Sequence, residues 1–492
     1  MNTAFEAMFS RFKSGDLFQN RPSTNVSDSP HFMKRLLLVI GLLQPIHAAT
    51  YHVSHNGDDA RDGLSPASAW RSIARVNGTQ FSPGDEVRFQ KGGVWFEALK
   101  PSSSGEASKP ITFTSYGDGN APVFDGSDEV TLASATSFNA GGEVHAVLVD
   151  GVFLRPNLDW KLNGATVDLT KPLAESATVR VIRRENLVNL QNLRHLVLRD
   201  LAVNASAKMH GGYGFRIEMS EDILLEDCNA ARGGKHHFGL INSTRIVLRR
   251  CHASVVMPDQ GGGGASAFVS YSDKRRHGDT SRYEDCVIED YRDATERGQY
   301  PAFVTHGEGI GEVVISGLKS QGAGVNFNNR ESGAALSLID STIEDADISL
   351  YGKGSILEKV TLTRGVLTLD GVANEVRQCR LIGLNPGFKG YQAAIVNTGT
   401  KNVITDTEVT LDAAAKPFNA ALAIVNPQSA LTWTNCRFNT PACVVKMQFH
   451  ELKGANCIAQ SNTYPSTATF ILKGTAKPLS LAEWQAFGLD GK

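Results

Sequence analysis

Ile223-Leu224-Leu225-Glu226-Asp227-Cys228 joins alternating apolar residues to two polar ones and a small or sulfur-bearing end. The phrase returns as Val247-Leu248-Arg249-Arg250-Cys251, Tyr283-Glu284-Asp285-Cys286, Val376-Arg377-Gln378-Cys379 and Trp433-Thr434-Asn435-Cys436. It ends on other residues at Leu201, Leu318, Ser341, Val360, Thr407 and Thr463. The intervals between these ends run from 19 to 35 residues. Repeats of that length, built from short strands, read as a β-solenoid in which each unit buries its apolar side against its neighbours.

The repeat overrides the roughly three domains that a chain of this length would otherwise suggest. Its 49 basic and 51 acidic residues nearly balance, and there is no long basic run. Neither nucleic acid nor an anionic membrane surface is therefore expected as a partner. The 47 glycines suit a chain of many tight turns.

Lys34-Arg35, the apolar stretch 36–43 and Ile46-His47-Ala48 form a secretory signal at 33–48, with cleavage expected after Ala48. Its apolar core is too short to span a bilayer, so no membrane span is expected after cleavage. Residues 1–32 read as a doubtful upstream extension, with Met33 as initiator. The product would be exported, to the periplasm or outside the cell. Export permits disulfides, yet the seven cysteines are odd in number and most share one place in the repeat. Cys228, Cys251 and Cys286 therefore read as stacked interior residues. Cys436, Cys443 and Cys457 are close enough in sequence for one pair to oxidise.

Residues 49–126 are expected to form an N-terminal cap and first coils. Ser65, Pro66 and Gly78 would cap, start and stop one short helix over 67–77. Residues 127–190 break the repeat with alternating stretches and read as a β insertion; residues 191–475 carry the coils. Within 476–492, Ser480 and Glu483 form a capping-box pattern for a second lid helix, with Trp484 and Phe487 on one face.

The run Gly57-Asp58-Asp59, Asp62-Gly63-Leu64-Ser65-Pro66 and Ala69-Trp70-Arg71-Ser72-Ile73 resembles the opening of secreted right-handed parallel β-helix proteins. Pro110-Ile111-Thr112-Phe113 to Phe124-Asp125-Gly126 is similar to their first full coil. The resemblance is to the pectate-lyase-like superfamily and covers nearly all of residues 50–492. It implies an all-β, right-handed parallel β-helix with short N- and C-terminal capping helices, and export, without naming a substrate. Asp58, Asp59 and Asp62 suggest calcium, although a solvated turn is the better reading; no other cofactor and no metal site is expected.

A second strand in each coil aligns on one apolar residue: Phe215, Phe238, Phe268, Phe303 and Val325. If these point inward, the fourth residue of each points outward. Glu218, Tyr271, His306 and Asn328 then fall in one outer column. The longest coils, from Cys251 to Cys286 and on to Leu318, surround it with Lys274-Arg275-Arg276-His277, and the preceding coil adds Lys235-His236-His237. Function concentrates in loops held by a rigid scaffold.

Such a strip suits an acidic polysaccharide. β-Elimination from a uronate needs a neutralised carboxylate, a base for the C5 proton and an acid for the leaving oxygen. His306 and Tyr271 are the expected base and acid, with His237 in reserve. Lys235, Arg275, Arg276, Asn328, Arg330 and Glu218 are expected to bind substrate. A glycoside hydrolase would need two carboxyl groups, with Glu218, Asp222, Asp259, Asp279 and Glu308 as candidates. His306-Gly307 faintly resembles the His-Gly pair of polygalacturonase relatives, but their adjacent aspartates are missing. The Asp-Pro-His-Asp motif of alginate C5-epimerases and the calcium-aspartate and arginine pattern of pectate lyases are missing too. A metal site on His210, His236, His237 and His252 has no compact ligand spacing. Non-catalytic glycan binding or a surface structural role is the remaining alternative, and an aromatic content of 8% offers no obvious stacking platform for it.

Overall fold

The computed structural model describes residues 48–490 except 208–211, 257–265, 275–277, 290–300, 329–333, 384–392, 412–418, 427, 442, 449–456, 474 and 476. Three long parallel sheets run its length, of fourteen, twelve and twelve strands among the described residues. One coil shows the plan. Tyr213–Glu218 lies in what we call the second face, Glu221–Glu226 in the first and Asn229–Gly233 in the third, and the chain returns to the second at His236–Ile241. The fold is a right-handed parallel β-helix, the hand that parallel crossovers take.

The recurrent phrase is the corner between the first and third faces. Leu225 points inward, Asp227 adopts φ 54°, and Cys228 turns inward again. Residues at Asp200, Arg250, Asp285, Asp340, Lys359, Gln378, Asp406 and Asn435 share this left-handed backbone. Asp and Asn tolerate it better than most side chains, which accounts for the second polar letter. The terminal letter is buried and reaches a carbonyl: Cys228 Sγ lies 3.6 Å from Leu198 O, and Cys251 Sγ lies 3.6 Å from Leu225 O. Ser341 and Thr407 donate instead to the carbonyl two residues back, Ile339 O at 2.7 Å and Thr405 O at 2.9 Å. The last repeat is shifted by one residue. Thr463 pairs with Arg437, so Asn462 rather than Thr463 matches Cys436, and its Oδ1 accepts from Cys436 N at 2.8 Å.

Inside the second face, Phe215, Phe238, Phe268 and Phe303 are register partners. Their centroids are 4.9, 5.1 and 6.0 Å apart. All seven cysteines are free thiols. Cys436 belongs to the interior core and Cys443 to a separate apolar cluster.

The expected N-terminal helix is in two pieces. Pro66–Ser68 forms a 3-10 turn capped by Ser65, and α1 (Ile73–Asn77) starts afresh on Ser72. Between them Trp70 is fully buried and its N–H bonds to His52 O at 2.8 Å, an edge pairing that a continuous helix would forfeit. At the other end, α2 (Leu481–Gln485) carries the Ser480–Glu483 capping box and buries Trp484 against Phe470, with centroids 4.7 Å apart. Phe487 is 53% exposed, because the helix ends before it and does not turn it onto Trp484's face. Strands from Ser127–Val130 to Val179–Ile182 make two four-stranded antiparallel sheets with their own core around Phe138 and Val167.

Candidate functional site

On the second face, Gln191, Glu218, Ile241, Tyr271 and His306 are successive register partners. Neighbouring strands are about 4.8 Å apart, so these side chains form a continuous strip. Tyr271 and His306 are half-buried, with ring centroids 4.8 Å apart and planes 45° apart. Gly307 follows His306 at φ 109°, and a Cβ there would lie 2.1 Å from Ser272 O. Glycine at that position lets the chain turn tightly against the neighbouring coil and ends the strand at His306.

Glu218 is held on both sides: Gln191 Nε2 donates to it at 2.8 Å and Arg216 Nη2 pairs with it at 2.7 Å. Asn328 is exposed at the far end of the strip, and its N–H bonds to Thr305 O at 3.2 Å. Lys235 is half-buried at the corner entering the strip. Arg275, Arg276 and Arg330 lie outside the described residues, as do His210 and Asp259.

His237 does not face the strip. It is 1% exposed, and its Nε2 lies 2.9 Å from Ser254 O and 3.0 Å from Val255 O, at the corner with the third face. Burial lowers its pKa to about 4. A base sealed against backbone cannot reach a sugar proton. Strict alternation from Phe238 misplaces it because the first residues of these strands do not alternate. Ala267 and Phe268, Ala394 and Ile395, and Ala421 and Leu422 all enter the interior core as consecutive pairs.

His236 is the imidazole on the outer side. It packs against Tyr213 with centroids 5.1 Å apart, feels the charge of Lys235 and His306, and is brought by burial to a pKa of about 3. Tyr213 and Arg216 complete the cluster and were not among the expected site residues, while His236 was expected only beside the column or as a metal ligand. The alignment on Phe215 places Arg216 outward as well as Glu218, so a reading of every alternate residue would have found it.

Glu308 is exposed two residues after His306, whereas several of the other expected ligands and carboxylates serve the scaffold. His252 lies on the third face, 2.9 Å from Glu289. Asp59 accepts from Arg71 N, Ser72 N and Ser72 Oγ, and Asp62 Oδ1 accepts from Leu64 N and Ser68 Oγ, so each carboxylate braces its own turn. Among the described residues no group of three or more His, Cys, Asp or Glu side chains is placed to hold a metal ion. Asp222 stands near the start of the first-face strand Glu221–Glu226 and binds Arg245 through two contacts of 2.7 Å, which hold its carboxyl below the usual range. Asp279 is buried against Ser272.

No protein-family model and no curated protein matches the chain. Among solved structures, XylC in complex with xylose is similar over 87% of this chain and 76% of its own, with 10% identity and a TM-score of 0.49. A lacto-N-biosidase from Eubacterium ramulus is similar over 90% and 69%, with 12% identity and a TM-score of 0.38. An alginate lyase from Paenibacillus is similar over 77% and 96%, with 12% identity and a TM-score of 0.37. The chain is a right-handed parallel β-helix protein on the strength of its own strand pairing, and these likenesses say nothing of its chemistry.

Proposed function

We propose that the protein is an exported enzyme acting on an acidic, uronate-containing polysaccharide, which it cleaves by β-elimination. The observation that carries this reading is the contact between the Tyr271 and His306 rings on the outer face of a rigid sheet. A histidine can take the C5 proton as the electron pair forms the C4–C5 double bond and the C4–oxygen bond breaks. The tyrosine hydroxyl can protonate the departing oxygen. Lys235 supplies positive charge nearby for the sugar carboxylate, and Arg216, though paired with Glu218, keeps an N–H to offer it.

Hydrolysis finds less support. A glycosidase acid needs a raised pKa and access to the sugar; Asp222 is held low by Arg245, and Asp279 is buried against Ser272, out of a sugar's reach. A C5-epimerase would share the proton-abstraction step and leave the chain intact.

The test is a screen of uronate polymers, reading ultraviolet-absorbing unsaturated products and new reducing ends together. Unsaturated products that vanish in His306→Ala and Tyr271→Phe support the reading. Reducing ends without unsaturation replace it with hydrolysis, and full activity in both variants removes the assigned residues.

A further inference from the structure

Two strands before Tyr271, the same outer face carries polar atoms with nothing to bind. Asn189 and Arg216 are register partners on adjacent strands. Arg216 gives one Nη to Glu218, yet its buried Nε–H has no acceptor, and the buried Oδ1 of Asn189 has no donor. Nδ1 of His236 is also without a partner, on a residue only 8% exposed. Buried polar atoms are nearly always paired with protein, water or ligand. Three orphans on one stretch of outer surface mark a place prepared for a bound molecule.

Tyr213 frames this place. Its ring packs on His236, and the guanidinium of Arg216 lies 5.9 Å from its centroid. The next strand offers Gly239 at Arg216's register position. A Cβ there would lie 2.2 Å from Tyr213 Cε1, so only glycine lets the phenol lie across that strand. The phenol therefore lies over Gly239 with the guanidinium beside it, one strand short of Tyr271.

The unmet needs define the ligand. An N–H on a cation calls for an anionic acceptor, and an amide oxygen calls for a donor. One sugar unit that carries a carboxylate beside a hydroxyl supplies both; a neutral hexose supplies only the second. His236 stays neutral because it is buried, so the positive charge comes from Arg216, with Lys235 at the corner.

The geometry points to Asn189, Tyr213 and Arg216 as a uronate-binding subsite, taking the sugar carboxylate on Arg216 and a neighbouring hydroxyl on Asn189. This rests on the reading that the second face holds a uronate chain. It adds that the chain runs along the helix axis, across the strands, so that a unit on Arg216 and the cleaved bond at Tyr271 and His306 are engaged together. Arg216 binds and orients; it takes no part in breaking the bond.

The test is calorimetric binding of oligouronates and of their carboxyl-reduced counterparts to the His306→Ala protein, with Arg216→Gln and Arg216→Lys added in turn. Loss of a charge-assisted contact should weaken oligouronate binding about 10- to 100-fold in the glutamine variant. Lysine should restore part of it, and binding of the reduced oligomers should not change. Equal losses on both ligands, or no loss, overturn the subsite. If Arg216→Gln fails to fold, Asn189→Ala and Gly239→Ala carry the same comparison. Arg216-dependent binding without unsaturated products from the wild type sinks the β-elimination reading and leaves the subsite standing. Cleavage by the wild type with unchanged binding in Arg216→Gln does the reverse, and no oligouronate binding at all sinks both.

Discussion

One outer column of the second face runs unbroken through both halves of the solenoid, and its two halves differ in chemistry. Asn189, Arg216, Gly239, Val269, Val304 and Asn326 are successive partners, followed by Ser349, Thr368, Val396, Ala423, Lys446 and Ile471. Beside the first half stand Tyr213, Glu218, His236, Tyr271 and His306, a strip of polar and ionisable groups with orphaned atoms. Beside the second half, Val366, Ala393, Val396, Ala420, Ala423 and Cys443 form an apolar cluster, buried although it lies outside the interior core. Backbone and period are shared, so scaffold alone does not make a site. An outer face filled with apolar, shielded side chains is packing, and one lined with polar and ionisable side chains is available to a ligand.

The sharpest way to break this contrast is to remove the chemistry from the first half. His306→Ala should lower turnover by about 10²- to 10⁴-fold, the usual share of a general base, with little change in melting temperature. An equal fall in Val396→Ser would show that the two halves are not distinct. Next in size is a charge placed in the same column. Val396→Asp should cost about 3–5 kcal/mol in chemical denaturation, because it buries an unpaired carboxylate. Ser349→Asp, half-buried two register positions earlier, should stay within about 0.5 kcal/mol. Similar losses at both positions would mean that the outer face is covered throughout.

Acidification sharpens the contrast on a smaller scale. His236 and His237 have pKa values of about 3 and about 4, against an ordinary 6.5. The unfolded chain binds protons that the folded chain refuses, so stability is complete above pH 6.5 and falls as the pH drops towards 3. The melting temperature should decline through that window, and more shallowly in His236→Gln. A decline of unchanged slope would place its cause elsewhere. Cys251→Ala should matter least, at about 1 kcal/mol, since it removes only a small buried side chain from the corner ladder. A larger loss in urea melts would mean that the thiol's carbonyl contacts carry more than packing.

What could be read in advance follows from how local each cause is. The corner phrase is legible because left-handed backbone and a small buried end are demands on single residues, as Asp227 and Cys228 show. The register of Phe215, Phe238, Phe268 and Phe303 follows from period-two alternation. Alternation fails at the start of each strand, where the coil rounds a corner, and that is where His236 and His237 exchange roles. Asn462 was passed over for Thr463 because a side-chain amide fills the corner position there in place of a thiol. Trp70 split the N-terminal helix through pairing with a strand seventeen residues earlier, Val53, which no local propensity reveals. The orphaned atoms of Asn189 and Arg216 were invisible for the same reason: being unpaired is a property of the assembled face.

The most direct measurement is a crystal structure of the His306→Ala protein with a uronate oligosaccharide bound. The sugar chain should lie along the helix axis on the second face, from Arg216 and Tyr213 to Tyr271 and the vacated side chain at 306. Sugar lying over Ala393–Asn397 and Ala420–Ile424, or on the first or third face, would contradict the account.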